Sequence, residues 1–208
     1  MDKIKLNSPP LIEAIFDIRW QLQDIGPNLK KDPKYKILIG RIYDKLLKEY
    51  PYYEELATST MPDEISAYVV QHRFRKINKG WPLIQLGPGI MTLNDTKKYK
   101  WNDFYKRINN AVKALFESYP EGNNFKIDIL ILRYINAIEF DFTKENILKF
   151  LKNNFNINID INRKIFTSKI NDFPENLDLN FSFVSNDPKG DLNLRFSSGK
   201  INNKDYLI

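Results

Sequence analysis

Leu11-Ile12-Glu13-Ala14-Ile15-Phe16-Asp17-Ile18-Arg19-Trp20 alternates in character. Ile12, Ala14, Phe16, Ile18 and Trp20 fall on one parity, and Glu13, Asp17 and Arg19 fall on the other with Ile15. Successive side chains of a strand point to opposite faces, so this stretch predicts a β-strand with one face on a core. Downstream, Gly26-Pro27 and Asp32-Pro33 mark a connecting loop. Tyr35, Leu38, Ile39, Ile42, Tyr43, Leu46, Leu47 and Tyr50 then recur at helical spacing, and Pro51 stops the helix.

Extended segments follow: Tyr53 to Thr60, a break at Met61-Pro62-Asp63, Ile65 to about Ile77, and Trp81 to Leu86. Gly87-Pro88-Gly89 reverses the chain into Ile90-Met91-Thr92-Leu93, and short strands joined by tight turns pair antiparallel. A second helix carries Trp101, Phe104, Tyr105, Ile108, Val112, Leu115, Phe116 and Tyr119 on one side, ending at Pro120 and Gly122. Phe125 to Phe142 is the longest extended stretch, with apolar residues on both parities, a pattern expected of a strand covered on both faces. Thr143 reads as an N-cap for a short helix through Ile147, Leu148, Leu151 and Phe155. Three more strands are expected at Ile165 to Ile170, Leu177 to Val184 and Leu192 to Phe196, and Asp205-Tyr206-Leu207-Ile208 reads as the start of another.

The fold class is therefore α+β: a mainly antiparallel, curved sheet with helices packed on one side. The order strand, helix, strands, helix begins again after Phe125 and reads as two pseudo-repeated lobes, residues 1–122 and 123–208. On that reading the second lobe lacks a closing helix, and the natural chain is expected to continue past Ile208.

Composition narrows the chemistry. The 208 residues include no cysteine and one histidine, His72. Thiol nucleophiles, Cys-rich zinc sites and His-paired serine hydrolysis need side chains that are missing or present once. Residues that are 42% hydrophobic suffice for a core without disulfides, and the net charge of +6 suits an acidic partner. The first residues contain no apolar signal segment, and no stretch approaches the ~20 apolar residues of a membrane-spanning helix. A cytoplasmic protein without membrane association is expected.

His72, in Gln71-His72-Arg73-Phe74-Arg75-Lys76, would need an orienting partner to act as a base, and a strand histidine among arginines is more often structural. Arg133 interrupts an apolar strand; a buried guanidinium must be paired, so a structural ion pair with Glu13 or Asp17 is expected, Glu139 being a third option. The other reading is an anion-binding Arg on a concave sheet face. Arg73, Arg75 and Lys76, with Lys106 and Arg107 on the second helix, are the candidate contacts to an anionic partner. Lys97 to Arg107 mixes basic and aromatic residues as single-strand binders do, yet its aromatics also match helix core positions.

A metal-dependent hydrolase is the weakest class: Asp128 and Asp141 have opposite parity, and Asp32-Pro33-Lys34 and Asp187-Pro188-Lys189 are turns. Gly87-Pro88-Gly89 is a hairpin turn and not a phosphate loop, because proline removes a backbone donor. No catalytic residue, metal ligand or cofactor is assigned.

Taken together, Pro9-Pro10-Leu11-Ile12-Glu13-Ala14-Ile15-Phe16-Asp17-Ile18-Arg19, Gln85-Leu86-Gly87-Pro88-Gly89-Ile90-Met91-Thr92-Leu93-Asn94, Tyr99-Lys100-Trp101 and Arg133-Tyr134-Ile135-Asn136 resemble a sporadically distributed prokaryotic family of uncharacterised proteins. The resemblance implies a somewhat longer natural chain and an accessory or defence locus, and it implies no activity, catalytic residue or cofactor. The functional expectation is a non-enzymatic binding or interaction protein whose partner, protein or nucleic acid, is acidic. The alternative is a nucleic-acid-binding accessory factor.

Overall fold

The computed structural model describes residues 9–96, 99–120, 125–162, 164, 170 and 173–208. The chain forms two compact units: Leu11–Ile135, and Met1–Pro10 with Asn136–Ile208. The architecture is α+β with mostly antiparallel sheet.

The larger unit opens with β1 (Leu11–Trp20) and a short hairpin, β2 (Gln23–Gly26) and β3 (Leu29–Lys31). Helix α1 (Tyr35–Leu46) leads to β4 (Tyr52–Glu55), β5 (His72–Arg75), β6 (Leu83–Gly87) and β7 (Ile90–Asp95); α2 (Trp101–Ser118) and β8 (Ile127–Asn136) complete it. The six-stranded sheet runs β4-β5-β6-β7-β1-β8. Ala14, Ile18 and Trp20 of β1, Leu38, Ile42 and Leu46 of α1, Phe74, Ile84, Leu86, Met91 and Leu93 of the sheet, and Phe104, Ile108 and Leu115 of α2 form one buried core. Pro88 and Gly89 (φ 80°) make a two-residue turn between β6 and β7. Pro presets the first turn position, and only glycine takes the second without strain.

The smaller unit contains β9 (Ile138–Glu139), α3 (Ile147–Phe155), β10 (Asp178–Asn186), β11 (Lys189–Ile201) and β12 (Lys204–Leu207), with sheet order β10-β11-β12-β9. Phe140, Phe142, Ile147, Leu151 and Leu207 are its core.

Several sequence expectations need correction. The strand expected from Ile65 to Ile77 is confined to β5, because Ala57–Thr60 and Asp63–Ile65 are short 3-10 turns and Tyr68 has a left-handed backbone. Phe125 to Phe142 is not one strand. It divides at Ala137, whose N–H bonds Pro10 O, and β8 adds to the sheet of the larger unit where a second lobe was expected to begin. Nor is β8 covered on both faces: it is an edge strand with Ile129, Leu130, Leu132 and Tyr134 exposed. The cap of α3 is Asn146, which accepts from the N–H groups of Leu148 and Lys149; Thr143 instead bonds Asp141. On α2, Trp101, Tyr105 and Phe116 are exposed, and Ala111 and Ala114 share the buried face with Phe104, Ile108 and Leu115. Most of the strand expected at Ile165 to Ile170 lies outside the described residues.

Candidate functional site

The sheet face opposite the core carries a polar ladder. Glu54, Arg73, Gln85, Thr92 and Asp17 stand directly opposite one another across β4, β5, β6, β7 and β1. Arg73 Nε donates to Gln85 Oε1 (2.7 Å), Gln85 Nε2 to Thr92 Oγ1 (3.2 Å), Thr92 Oγ1 to Asn94 Oδ1 (2.7 Å), and Asn94 Nδ2 to Glu13 Oε1 (2.8 Å). Arg75 Nε donates to Glu54 Oε2 at 3.0 Å and its Nη1 to Gly80 O at 3.1 Å. Thr92 and Asn94 are buried, so each donor satisfied here avoids a desolvation cost of about 1–3 kcal/mol. The ladder fixes strand register.

The expected ion pair between Arg133 and Glu13 or Asp17 does not form. Asp17 is held by Arg19 on its own strand, through Nε at 3.2 Å and Nη2 at 3.0 Å, and Glu13 is held by Asn94. Arg133 is exposed on the edge strand and makes no ion pair among the described residues. An exposed guanidinium stays hydrated and needs no partner, and a charge on an edge strand discourages sheet-to-sheet association. Glu139 lies in the smaller unit, where Lys204 Nζ donates to it at 3.0 Å.

His72 is buried, with Nδ1 2.8 Å from Tyr53 Oη and the Tyr53 ring stacked on the imidazole at 5.7 Å. Burial lowers its pKa and Glu55 opposes the shift. A neutral imidazole clasped by tyrosines is a packing element, and no carboxylate orients it for proton transfer among the described residues.

The candidate contacts to an anion separate into two groups. Arg73 and Arg75 both face Glu54, at 3.8 Å and 3.0 Å, and Arg107 is paired with Asp95. Glu54 offsets one of the two arginine charges, Asp95 offsets Arg107, and Gln85 and Gly80 O take up further donors of Arg73 and Arg75 within the fold. Lys76, by contrast, projects from the end of β5 into a groove of about 600 Å³. Lys45 and Lys48 of the α1 end, Asn110, Lys113, Ala114 and Glu117 of α2, and Glu49 complete its lining. Three separate segments thus bring four lysines against two glutamates.

Within the groove Lys45 Nζ lies 2.7 Å from Glu117, Lys113 lies 3.8 Å from the same carboxylate, and Lys76 lies 3.8 Å from Glu49. The Lys45 hydrogen bond lowers the Glu117 pKa, with its charge and that of Lys113 adding to the effect, so the carboxylate is ionised at neutral pH. Lys48 is exposed and makes no ion pair among the described residues. Lys106 is exposed one turn before Asn110 on α2. Such a surface can hold phosphate or carboxylate oxygens by several weak, screened contacts acting together.

Sequence reading found Lys76 and Lys106 but missed Lys45, Lys48 and Lys113. Lys45 and Lys48 follow the i, i+3 spacing that puts two side chains on one helix face. What joins them to Lys113 and Lys76 is the packing of α1 on α2, which no local pattern encodes. Among the described residues, no three His, Asp or Glu side chains converge as metal ligands, and no helix is long and apolar enough to cross a membrane. No family model, curated protein or solved structure matches the chain.

Proposed function

We propose that this chain is a non-enzymatic binding protein that holds an anionic partner in the groove between α1 and α2. The observation that carries the reading is the convergence of Lys45, Lys48, Lys76 and Lys113 from three segments, opposed by only Glu49 and Glu117. The groove is open and rimmed by charged side chains, which suits an extended polyanion better than a small apolar ligand. A prokaryotic, cytoplasmic setting belongs to the same proposal. It rests on the family resemblance and on a cysteine-free composition that suits a reducing compartment.

Inorganic polyphosphate is the simplest probe, because it presents repeated anionic oxygens and nothing else. Binding is expected at low salt, with an affinity that declines as salt screens the lysines. Lys48→Glu with Lys113→Glu converts two attractions into two repulsions and is expected to remove it. Both positions are exposed, so the fold should survive. Retained binding in the double variant would refute the assignment to this groove.

A further inference from the structure

Deepening the reading above, we propose that the anionic partner is a single-stranded nucleic acid, with its bases stacked on Trp101 and Tyr105 and its phosphates running into the lysine groove. The core of the larger unit does not use these two aromatics: α2 turns Phe104, Ile108 and Leu115 inward and leaves Trp101 43% and Tyr105 53% exposed. The two rings lie 5.6 Å apart at an interplanar angle of 34°. They form a continuous aromatic ledge at the start of α2. Large aromatics are costly to leave in water, and bases unpaired from a complementary strand present the flat π-faces that cover them.

The charges around the ledge complement a phosphate backbone. Lys100 precedes it and Lys106 follows Tyr105, both exposed, and Asp103 is the acidic residue in the first turn of α2. Helical geometry gives about 18 Å from Trp101 to Lys113 at about 1.5 Å per residue. At about 3.4 Å per phosphate of a stacked strand, that distance spans about five nucleotides. Lys106 and Lys113 lie about two turns apart on one strip of α2, about 80–100° around from Tyr105. A strand stacked on the ledge would therefore carry its backbone along that strip toward Lys48. A duplex keeps its base faces internal and cannot use the ledge, which sets the preference for single strands.

The test is fluorescence anisotropy of the full chain with a labelled 12-nucleotide oligothymidylate, run beside inorganic polyphosphate, an abasic oligomer of equal length and poly-glutamate as competitor. The expected result is oligonucleotide binding that weakens steeply between 50 and 200 mM salt, conditions under which a handful of phosphate contacts lose at least about tenfold. Trp101→Ala with Tyr105→Ala should weaken oligonucleotide binding at least about fivefold and leave polyphosphate binding unchanged, while Trp101→Phe with Tyr105→Phe should restore it. Lys48→Glu with Lys113→Glu should weaken both ligands. Equal binding of the abasic oligomer, or an alanine variant with no loss, would overturn the nucleic-acid inference while leaving the groove intact. Displacement by poly-glutamate at equal charge would overturn it in favour of an acidic protein. Binding of neither oligonucleotide nor polyphosphate at low salt would overturn the groove as well.

Discussion

Replacing Asp32 by alanine should cost more stability than its place in a loop suggests. Asp32 is only 6% exposed and gathers three donors: Trp20 Nε1 at 2.8 Å on Oδ2, and the Lys34 N–H at 3.0 Å and Tyr119 Oη at 3.1 Å on Oδ1. The carboxylate thereby ties β1, the entry to α1 and the end of α2 to one point. A hydrogen bond to a charged group is worth about 1.5–3 kcal/mol, and an orphaned buried donor costs about 1–3 kcal/mol. Trp20 is 1% exposed, so its indole N–H has no access to water once Asp32 is gone. Loss of one such bond together with the orphaned indole gives about 3–5 kcal/mol for Asp32→Ala. Urea denaturation followed by far-UV circular dichroism measures it directly. The cycle with Trp20→Phe adds a second check: with the indole donor already removed, Asp32→Ala should cost about 1–2 kcal/mol less than in the parent. A loss below about 1 kcal/mol, or strict additivity in the cycle, would refute the anchoring role.

Gly87→Ala should destabilise the larger unit by more than about 2 kcal/mol, since an added Cβ would stand 2.0 Å from the Val69 backbone carbonyl oxygen; thermal melting gives the measure. Arg133→Ala should change stability by less than about 0.5 kcal/mol, because the side chain is exposed and unpaired among the described residues; a loss above about 2 kcal/mol in urea titration would restore the buried ion pair. His72 has its folded pKa lowered by burial, so below about pH 6.5 the unfolded chain takes up the proton first and stability falls with pH. His72→Gln should flatten that limb below about pH 6.5, while the carboxylates held down by partners, Asp63 by Lys31 and Asp141 at about 2 by Lys144, act only at lower pH. An unchanged pH profile in the variant would show that His72 is not the group responsible.

Where the fold was legible, one face of an element met one uniform environment. The alternation of β1 survives because its even residues, Ala14 to Trp20, enter the core while Glu13, Asp17 and Arg19 join the polar face. Patterns misled where an apolar residue met no partner. Ile129, Leu130 and Leu132 looked like a buried strand because composition cannot distinguish an edge from a centre. Trp101 and Tyr105 sit at core spacing, yet the helix seam took Ala111 and Ala114 instead, since small residues let α2 approach its neighbours closely. The candidate site was half visible. Lys76 and Lys106 stood out as basic residues near aromatics, but the pairing of Arg73 and Arg75 with the one carboxylate of Glu54 depends on strand register, which one residue of slip would change. Asp32 offered a local signal only for its turn with Lys34, because its other two donors come from residues 20 and 119.

The account turns on whether the lysine groove binds anions. Titration of labelled inorganic polyphosphate into the parent chain and into the Lys48→Glu, Lys113→Glu variant at 50 mM salt puts that question most directly. The parent should bind, weakening with added salt, and the variant, with an unchanged melting curve, should lose at least about tenfold in affinity. Equal binding by the two proteins would contradict the account.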